Sequence, residues 1–144
     1  MKTAVWVLCL AVCMETLATA QQVVNTKDAP APVGPYSQAI KANGFVFCAG
    51  QIGLDPATGK LVEGDIKAQT ERVLKNLSAV LAAAGSSMDK AVKVTVFLKN
   101  ISDFAAMGEV YATFFKTNPP ARTTIQAGDI PRNALIEIDV IAVQ

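Results

Sequence analysis

Asp65-Ile66-Lys67-Ala68-Gln69-Thr70-Glu71-Arg72-Val73-Leu74-Lys75-Asn76-Leu77-Ser78-Ala79-Val80-Leu81-Ala82-Ala83-Ala84-Gly85 is the stretch whose reading decides the fold. Ile66, Val73, Leu74, Leu77, Val80, Leu81 and Ala84 recur three and four residues apart, the period of a helix with one apolar face. Asp65 stands where an N-cap is wanted, and Gly85 stands where a helix stops. The spacing predicts one long amphipathic helix, whose stripe needs a second layer to cover it.

The segments on either side supply that layer. Downstream, Ala91 to Lys99 reads as a strand with Val92, Val94, Val96 and Leu98 on one face. Asp103 to Lys116 reads as a second helix with the stripe Phe104, Met107, Tyr111, Phe114 and Phe115. Arg122 to Ala127 and Leu135 to Val143 read as two last strands, joined around Gly128 and Pro131. In the final strand Ile136, Ile138, Val140 and Ala142 share one face, and Leu135, Glu137, Asp139 and Ile141 the other.

Upstream, Val23 to Pro35 is an extended leading segment, since Pro30, Pro32 and Pro35 forbid a helix. A strand is expected from Tyr36 through Lys41. Ala42-Asn43-Gly44 then reads as a hairpin turn, because Asn-Gly accepts the positive φ such turns need. Phe45 to Ala49 is the returning strand, and Asp55-Pro56-Ala57-Thr58-Gly59 a turn-rich loop. The expected class is α+β, a mixed sheet of four or five strands with two amphipathic helices on one face. The other face, with Phe97, Leu135, Ile141 and charged groups, has no helix left to cover it. That predicts association of copies.

Composition narrows the function. The chain has 144 residues, room for one domain with a core, and 13 Lys+Arg against 12 Asp+Glu for a net charge of +1. That balance argues against broad electrostatic binding of nucleic acid. There is no histidine, so His-based triads and His metal sites are excluded. Of three cysteines, Cys9 and Cys13 lie in the first segment. Cys48 alone remains in the rest, too few for an internal disulfide or a zinc cluster. Cys48 reads as a small core residue rather than a nucleophile.

Residues 1–20 differ in character from the rest of the chain. Lys2 precedes an apolar run from Ala4 to Met14, Glu15 ends it, and Ala18-Thr19-Ala20 offers a small-x-small site before Gln21. This is the shape of a secretory signal peptide, too short for a comfortable membrane span. The alternatives are a docking helix or an organelle-targeting segment. The expected division is a signal over 1–20 and one domain over 21–144.

Two charges remain that core packing does not explain. Pro120-Ala121-Arg122 sets a cation at the start of one strand, and Leu135-Ile136-Glu137-Ile138-Asp139 sets a carboxylate inside the next strand in sequence. On neighbouring strands the pair would hold a small anion and move a proton on it. Each also has a plainer reading, an ion pair or a solvent-facing group.

These residues, with Ala29-Pro30-Ala31-Pro32-Val33-Gly34-Pro35-Tyr36-Ser37-Gln38-Ala39, Ala49-Gly50-Gln51-Ile52-Gly53 and Asp55-Pro56-Ala57-Thr58-Gly59, resemble the RidA/YjgF family of 2-iminobutanoate/2-iminopropanoate deaminases, which includes RutC-like proteins. Val92 to Lys99 and Asp103-Phe104 continue the resemblance, which spans about residues 23 to 144. It implies a sheet backed by two helices, like trimeric chorismate mutase, in a homotrimer with sites at the subunit clefts. It implies hydrolysis of 2-aminoacrylate, 2-aminocrotonate or their imine tautomers to 2-oxo acids and ammonia, with no cofactor and no metal.

By the same resemblance Arg122 binds the substrate carboxylate, a good match for a guanidinium. Glu137 handles the attacking water and a proton, and Tyr36 lines the cleft. Backbone groups around Gly50 and Thr124 contact the substrate. Asp139, on the strand face of Glu137, is expected to make a structural pair. Three positions depart from the family pattern: Ala49 replaces a common serine, Gly108 an asparagine and Thr124 a cysteine. Two rival functions stay open on the same scaffold. One is a chaperone-like or small-ligand-binding protein. The other is an RNA-cleaving translation inhibitor, weakened by the charge and the missing histidine. Location stays open as well, secretory by the first segment but cytosolic or mitochondrial by family habit.

Overall fold

The long helix forms where its spacing puts it. In the computed structural model, which describes residues 21–144, α1 spans Ile66–Ala83. The Asp65 side chain accepts from the amides of Lys67 (3.0 Å) and Ala68 (3.1 Å), satisfying donors the first turn leaves open. At the other end Gly85 takes φ +78°. The Gly85 and Ser86 amides donate back to the carbonyls of Ala82 (3.0 Å) and Leu81 (2.8 Å), a Schellman ending. Val73, Leu74, Leu77, Val80 and Leu81 are fully buried.

Among the described residues the sheet has six strands rather than four or five: β1 Gln22–Val24, β2 Ala39–Ala42, β3 Phe45–Ile52, β4 Ala91–Leu98, β5 Ala121–Gln126 and β6 Ile136–Val143. Their order is β1-β2-β3-β6-β4-β5. All pairs are antiparallel except β4 with β5, which are parallel and joined by the second helix, α2, at Phe104–Phe114. The sixth strand comes from the leading segment, where Val24 is buried and β1 pairs with β2 from the sheet's edge. Tyr36 to Gln38, expected in a strand, precede β2 as irregular backbone.

Two further expectations change for local reasons. Val92 does not join the face of Val94, Val96 and Leu98. The register of β4 against β6 slips between Ala91 and Lys93, a bulge that leaves Val92 exposed and gives its inward place to Ala91. Helix α2 begins after a tight turn at Ile101–Asp103, so Phe104 stays 44 % exposed while Met107, Tyr111 and Phe115 are buried.

Both helices cover one face of the sheet. Val94, Val96, Leu98, Ile136, Ile138, Val140 and Ala142 are fully buried beneath them. Leu135, expected on the open face, packs partly against this core. The open face carries Phe45, Phe47 and Val143, all about two-fifths exposed, with the two rings 6.2 Å apart. No helix among the described residues is long and apolar enough to cross a membrane. The signal expected over residues 1–20 lies outside the described residues.

Candidate active site

β3 ends at Ile52 and β6 begins at Ile136, and Ile52 pairs with Glu137 across the ladder. At this end of the sheet lies a cavity of about 300 Å³ whose walls include Tyr36, Gly50, Glu137, Val33, Leu54 and Pro131. Three of the five expected site residues, Tyr36, Gly50 and Glu137, thus meet in one largely apolar cleft.

A bulge shapes that cleft. Cys48 pairs with Val140 and Gln51 with Ile138, so β3 uses one residue more than β6 across Ala49 and Gly50. Bulges of this kind re-aim side chains beside functional sites. Gly50 is needed here for space rather than for its φ. A Cβ on it would lie 2.0 Å from Glu137 Oε1 and 2.9 Å from Cδ, so the carboxylate occupies the room a side chain would take. Glu137 is half-buried, and its pKa is raised, first by burial and then by the like charge of Asp139. A carboxyl group so tuned can hold and release a proton nearer neutrality than an exposed one.

The wall opposite comes from the leading segment. Tyr36 is 47 % exposed, and its hydroxyl accepts from the Val33 amide at 3.2 Å, tying the ring to the Pro-rich turn. Cys48 sits buried behind the cleft. Burial, helped by Asp139, pushes its thiol up to about 12, which suppresses the thiolate and fits the packing role expected of it.

Arg122 and Thr124 stand elsewhere. Their strand β5 is not the neighbour of β6, because β4 lies between them. Arg122 pairs with Val94 and Thr124 with Val96, both on the helix-covered face, whereas Glu137 pairs with Phe97 on the open face. The Arg122 guanidinium lies 4.6 Å from the ring centre of Tyr111 and 5.3 Å from that of Phe104, a cation–π stack against α2. Strand spacing puts the Cα atoms of Arg122 and Glu137 roughly 14 Å apart. One chain therefore does not bring this cation and this carboxylate to one small anion. Among the described residues the ion pairs are Lys67 with Glu109 and Lys75 with Glu71; Arg122, Glu137 and Asp139 are in neither. The structural pair expected of Asp139 does not form among the described residues.

Several wall residues escaped the sequence reading. Pro131 is one, carried into the cleft by a turn in which Arg132 and Asn133 both take φ near +60°. Gln38, Gln69 and Asn76 do not line the cleft, but they are buried polar groups hydrogen-bonded to its margins. Their signal was present, since Gln69 and Asn76 fall on the apolar stripe of α1.

Comparison with known proteins agrees with this architecture. The family model described as endoribonuclease L-PSP matches residues 26–144. A RutC family protein of Pyrococcus horikoshii is 53 % identical over 122 residues, covering 85 % of this chain and 97 % of that one. The mouse 2-iminobutanoate/2-iminopropanoate deaminase is 42 % identical over 124 residues, 86 % of this chain and 92 % of its own. The crystal structure of E. coli TdcF with bound serine superposes with a TM-score of 0.82 at 36 % identity, covering 85 % of this chain and 98 % of that one. The chain is a member of the RidA/YjgF family, the family whose model carries the endoribonuclease L-PSP description.

Proposed function

We propose that this protein hydrolyses 2-imino and 2-enamino acids, such as 2-iminobutanoate and 2-aminoacrylate, to 2-oxo acids and ammonia. The observation that carries the reading is the half-buried Glu137 carboxylate, raised in pKa and lodged against Gly50 in an apolar cleft. The deaminase name of the mouse relative and the serine bound to TdcF support it, since serine carries the same carboxylate next to a nitrogen-bearing carbon. A net charge of +1 and the lack of histidine favour this chemistry over RNA cleavage.

The chemistry follows from the groups. An enamine takes a proton from solvent at C3 to become the iminium ion, the protonated imine. Glu137, as carboxylate, accepts a proton from water as the oxygen bonds to C2. The Glu137 carboxyl then returns that proton to the carbinolamine nitrogen, the C2–N bond breaks to release ammonia, and the hydroxyl proton passes to the Glu137 carboxylate and on to ammonia, leaving the 2-oxo acid and an ammonium ion. Arg122 holds the substrate carboxylate and draws charge away from C2.

Since Arg122 and Glu137 lie on opposite faces of one sheet, a site that uses both is shared between copies. We place Arg122 of one protomer opposite Glu137 of the next, in a homotrimer closed through the open face with Phe45, Phe47 and Ile125. The test generates 2-iminobutanoate with a threonine dehydratase and follows semicarbazide trapping. Wild type should reduce the trapped product, and Arg122→Ala and Glu137→Gln should each abolish that effect while remaining folded. Mixing the two inactive variants under subunit exchange should restore a fraction of the activity. Full activity in either variant overturns the mechanism, and no recovery on mixing overturns the shared site. We also propose residues 1–20 as a secretory signal, on their apolar run and Ala18-Thr19-Ala20. Mass spectrometry of exported protein should then find Gln21 at its N-terminus, and retention of residues 1–20 would refute it.

A further inference from the structure

Among the described residues the buried polar side chains are Gln38, Gln51, Gln69, Thr70 and Asn76. A buried amide is costly unless its hydrogen bonds are made, and an apolar residue would fill the same space at less risk. Where these side chains send their bonds is therefore informative. Thr70 bonds within its own helix, to the Ile66 carbonyl at 2.6 Å. Three others reach backbone far along the chain, at strand ends and in the segments that lead into them.

Gln69 Oε1 accepts from the Leu135 amide at 2.8 Å, two residues before Glu137, where the chain leaves its positive-φ turn and starts β6. Asn76 Nδ2 donates to the carbonyls of Leu54 (2.9 Å) and Ile52 (3.3 Å), both wall residues of the cleft. Gln38 Nε2 donates to the carbonyls of Pro30 (2.8 Å), Thr26 (3.0 Å) and Ala29 (3.3 Å), while its Oε1 accepts from the Thr26 amide at 2.6 Å. Pro30 lines the cleft too, and the Gln38 carbonyl accepts from the amide of Ala49 at the bulge. Each of the three amides thus anchors a different margin of one cavity.

We propose that Gln38, Gln69 and Asn76 are positioning residues that fix the backbone at three margins of the cleft, with Gln69 setting where Glu137 stands. The proposal rests on the deaminase reading of that cleft for its kinetic effect, but its geometry does not. It separates the amides by role: Gln69 acts on the carboxylate, while Gln38 and Asn76 act on the walls that receive the substrate.

The experiment compares Gln69→Met, Gln38→Met, Asn76→Leu and the control Thr70→Val. It reads kcat and KM with 2-iminobutanoate and the pH titration of the Glu137 carboxyl by carbon NMR. Gln69→Met should lower kcat at least tenfold with KM within threefold, and move the Glu137 midpoint down toward the ordinary glutamate range. Gln38→Met and Asn76→Leu should raise KM at least fivefold. Thr70→Val should change neither constant. Folded Met and Leu variants with unchanged constants and an unchanged Glu137 midpoint overturn the proposal. If wild type has no turnover, the deaminase reading fails separately, and the NMR midpoint in Gln69→Met alone decides. If a variant does not fold, amide exchange in wild type decides instead. Slow exchange at Leu135 and Thr26, like that of the sheet, supports the proposal, and loop-like fast exchange overturns it.

Discussion

Along β6, Ile136, Ile138, Val140 and Ala142 are fully buried beneath the helices, while the interleaved Glu137, Asp139 and Ile141 stay half-exposed on the other side. The same alternation makes both faces, yet only one of them is closed by this chain. On the covered face of β6, Ile136, Ile138, Val140 and Ala142 are packed beneath the helices. The open face mixes Phe45 and Phe47 with Glu137, Asp139 and a Lys93 ammonium that donates to Thr123 Oγ1 at 2.5 Å. The covered face holds the fold together, and we propose that the open face carries the Glu137 chemistry and the contacts between copies. Arg122 complicates the division by standing at the sheet's edge on the helix side, stacked on Tyr111.

The largest expected contrast is in stability. Ile138→Ala should cost about 2–5 kcal/mol, the range for emptying a packed core position, read by urea unfolding. Ile141→Ala, three residues along on the open side, should leave a smaller loss at low protein concentration that grows as concentration rises, because the association proposed for that face stabilises the variant less than wild type. Equal losses at all concentrations would erase the distinction between the faces.

A second contrast lies within the open face. Gly50→Ala puts a methyl where Glu137 Oε1 stands, so the carboxylate must swing away. Turnover should fall about 10²-fold, the scale on which an ångström of misplacement acts, with the unfolding midpoint little changed. Ala49→Ser, the residue common in the family at the same bulge, should keep activity within a fewfold of wild type. If Gly50→Ala instead unfolds the chain, the bulge belongs to the core.

The smallest effect is on pH dependence. Folded Glu137 keeps its proton above the ordinary glutamate pKa. Between that ordinary value and the raised one, the native chain binds more protons than the unfolded chain, so stability declines as pH rises through the window. Glu137→Gln should remove that decline. Asp139→Asn should weaken it, since it deletes only the second cause of the shift. A slope that survives Glu137→Gln would place the proton elsewhere.

Much of the fold could be read from local pattern. The stripe of α1, its Asp65 cap and its Gly85 stop are contacts within a turn or two, and they formed as expected. The alternation of β6 likewise settled which residues face inward. The short edge strand β1 was missed because three residues carry too little period to read. Val92 was misplaced because a bulge shifts the count by one, and nothing in its immediate neighbours announces it. At the site, residue types and motif order singled out Tyr36, Gly50 and Glu137, which meet. They also singled out Arg122, which does not join them within one chain.

By itself, then, the sequence determined the longer elements, most of their buried stripes and the family, because these rest on spacing and motifs along the chain. Only the tertiary structure decided that β4 lies between Arg122 and Glu137, that the Gly50 bulge makes room for a carboxylate, and that three buried amides brace the cleft. The amide bonds join positions 8 to 66 residues apart, and Gly50 meets Glu137 from farther still along the chain. They are fixed by how faces and ladders fit together once the chain has closed, and no local period encodes them.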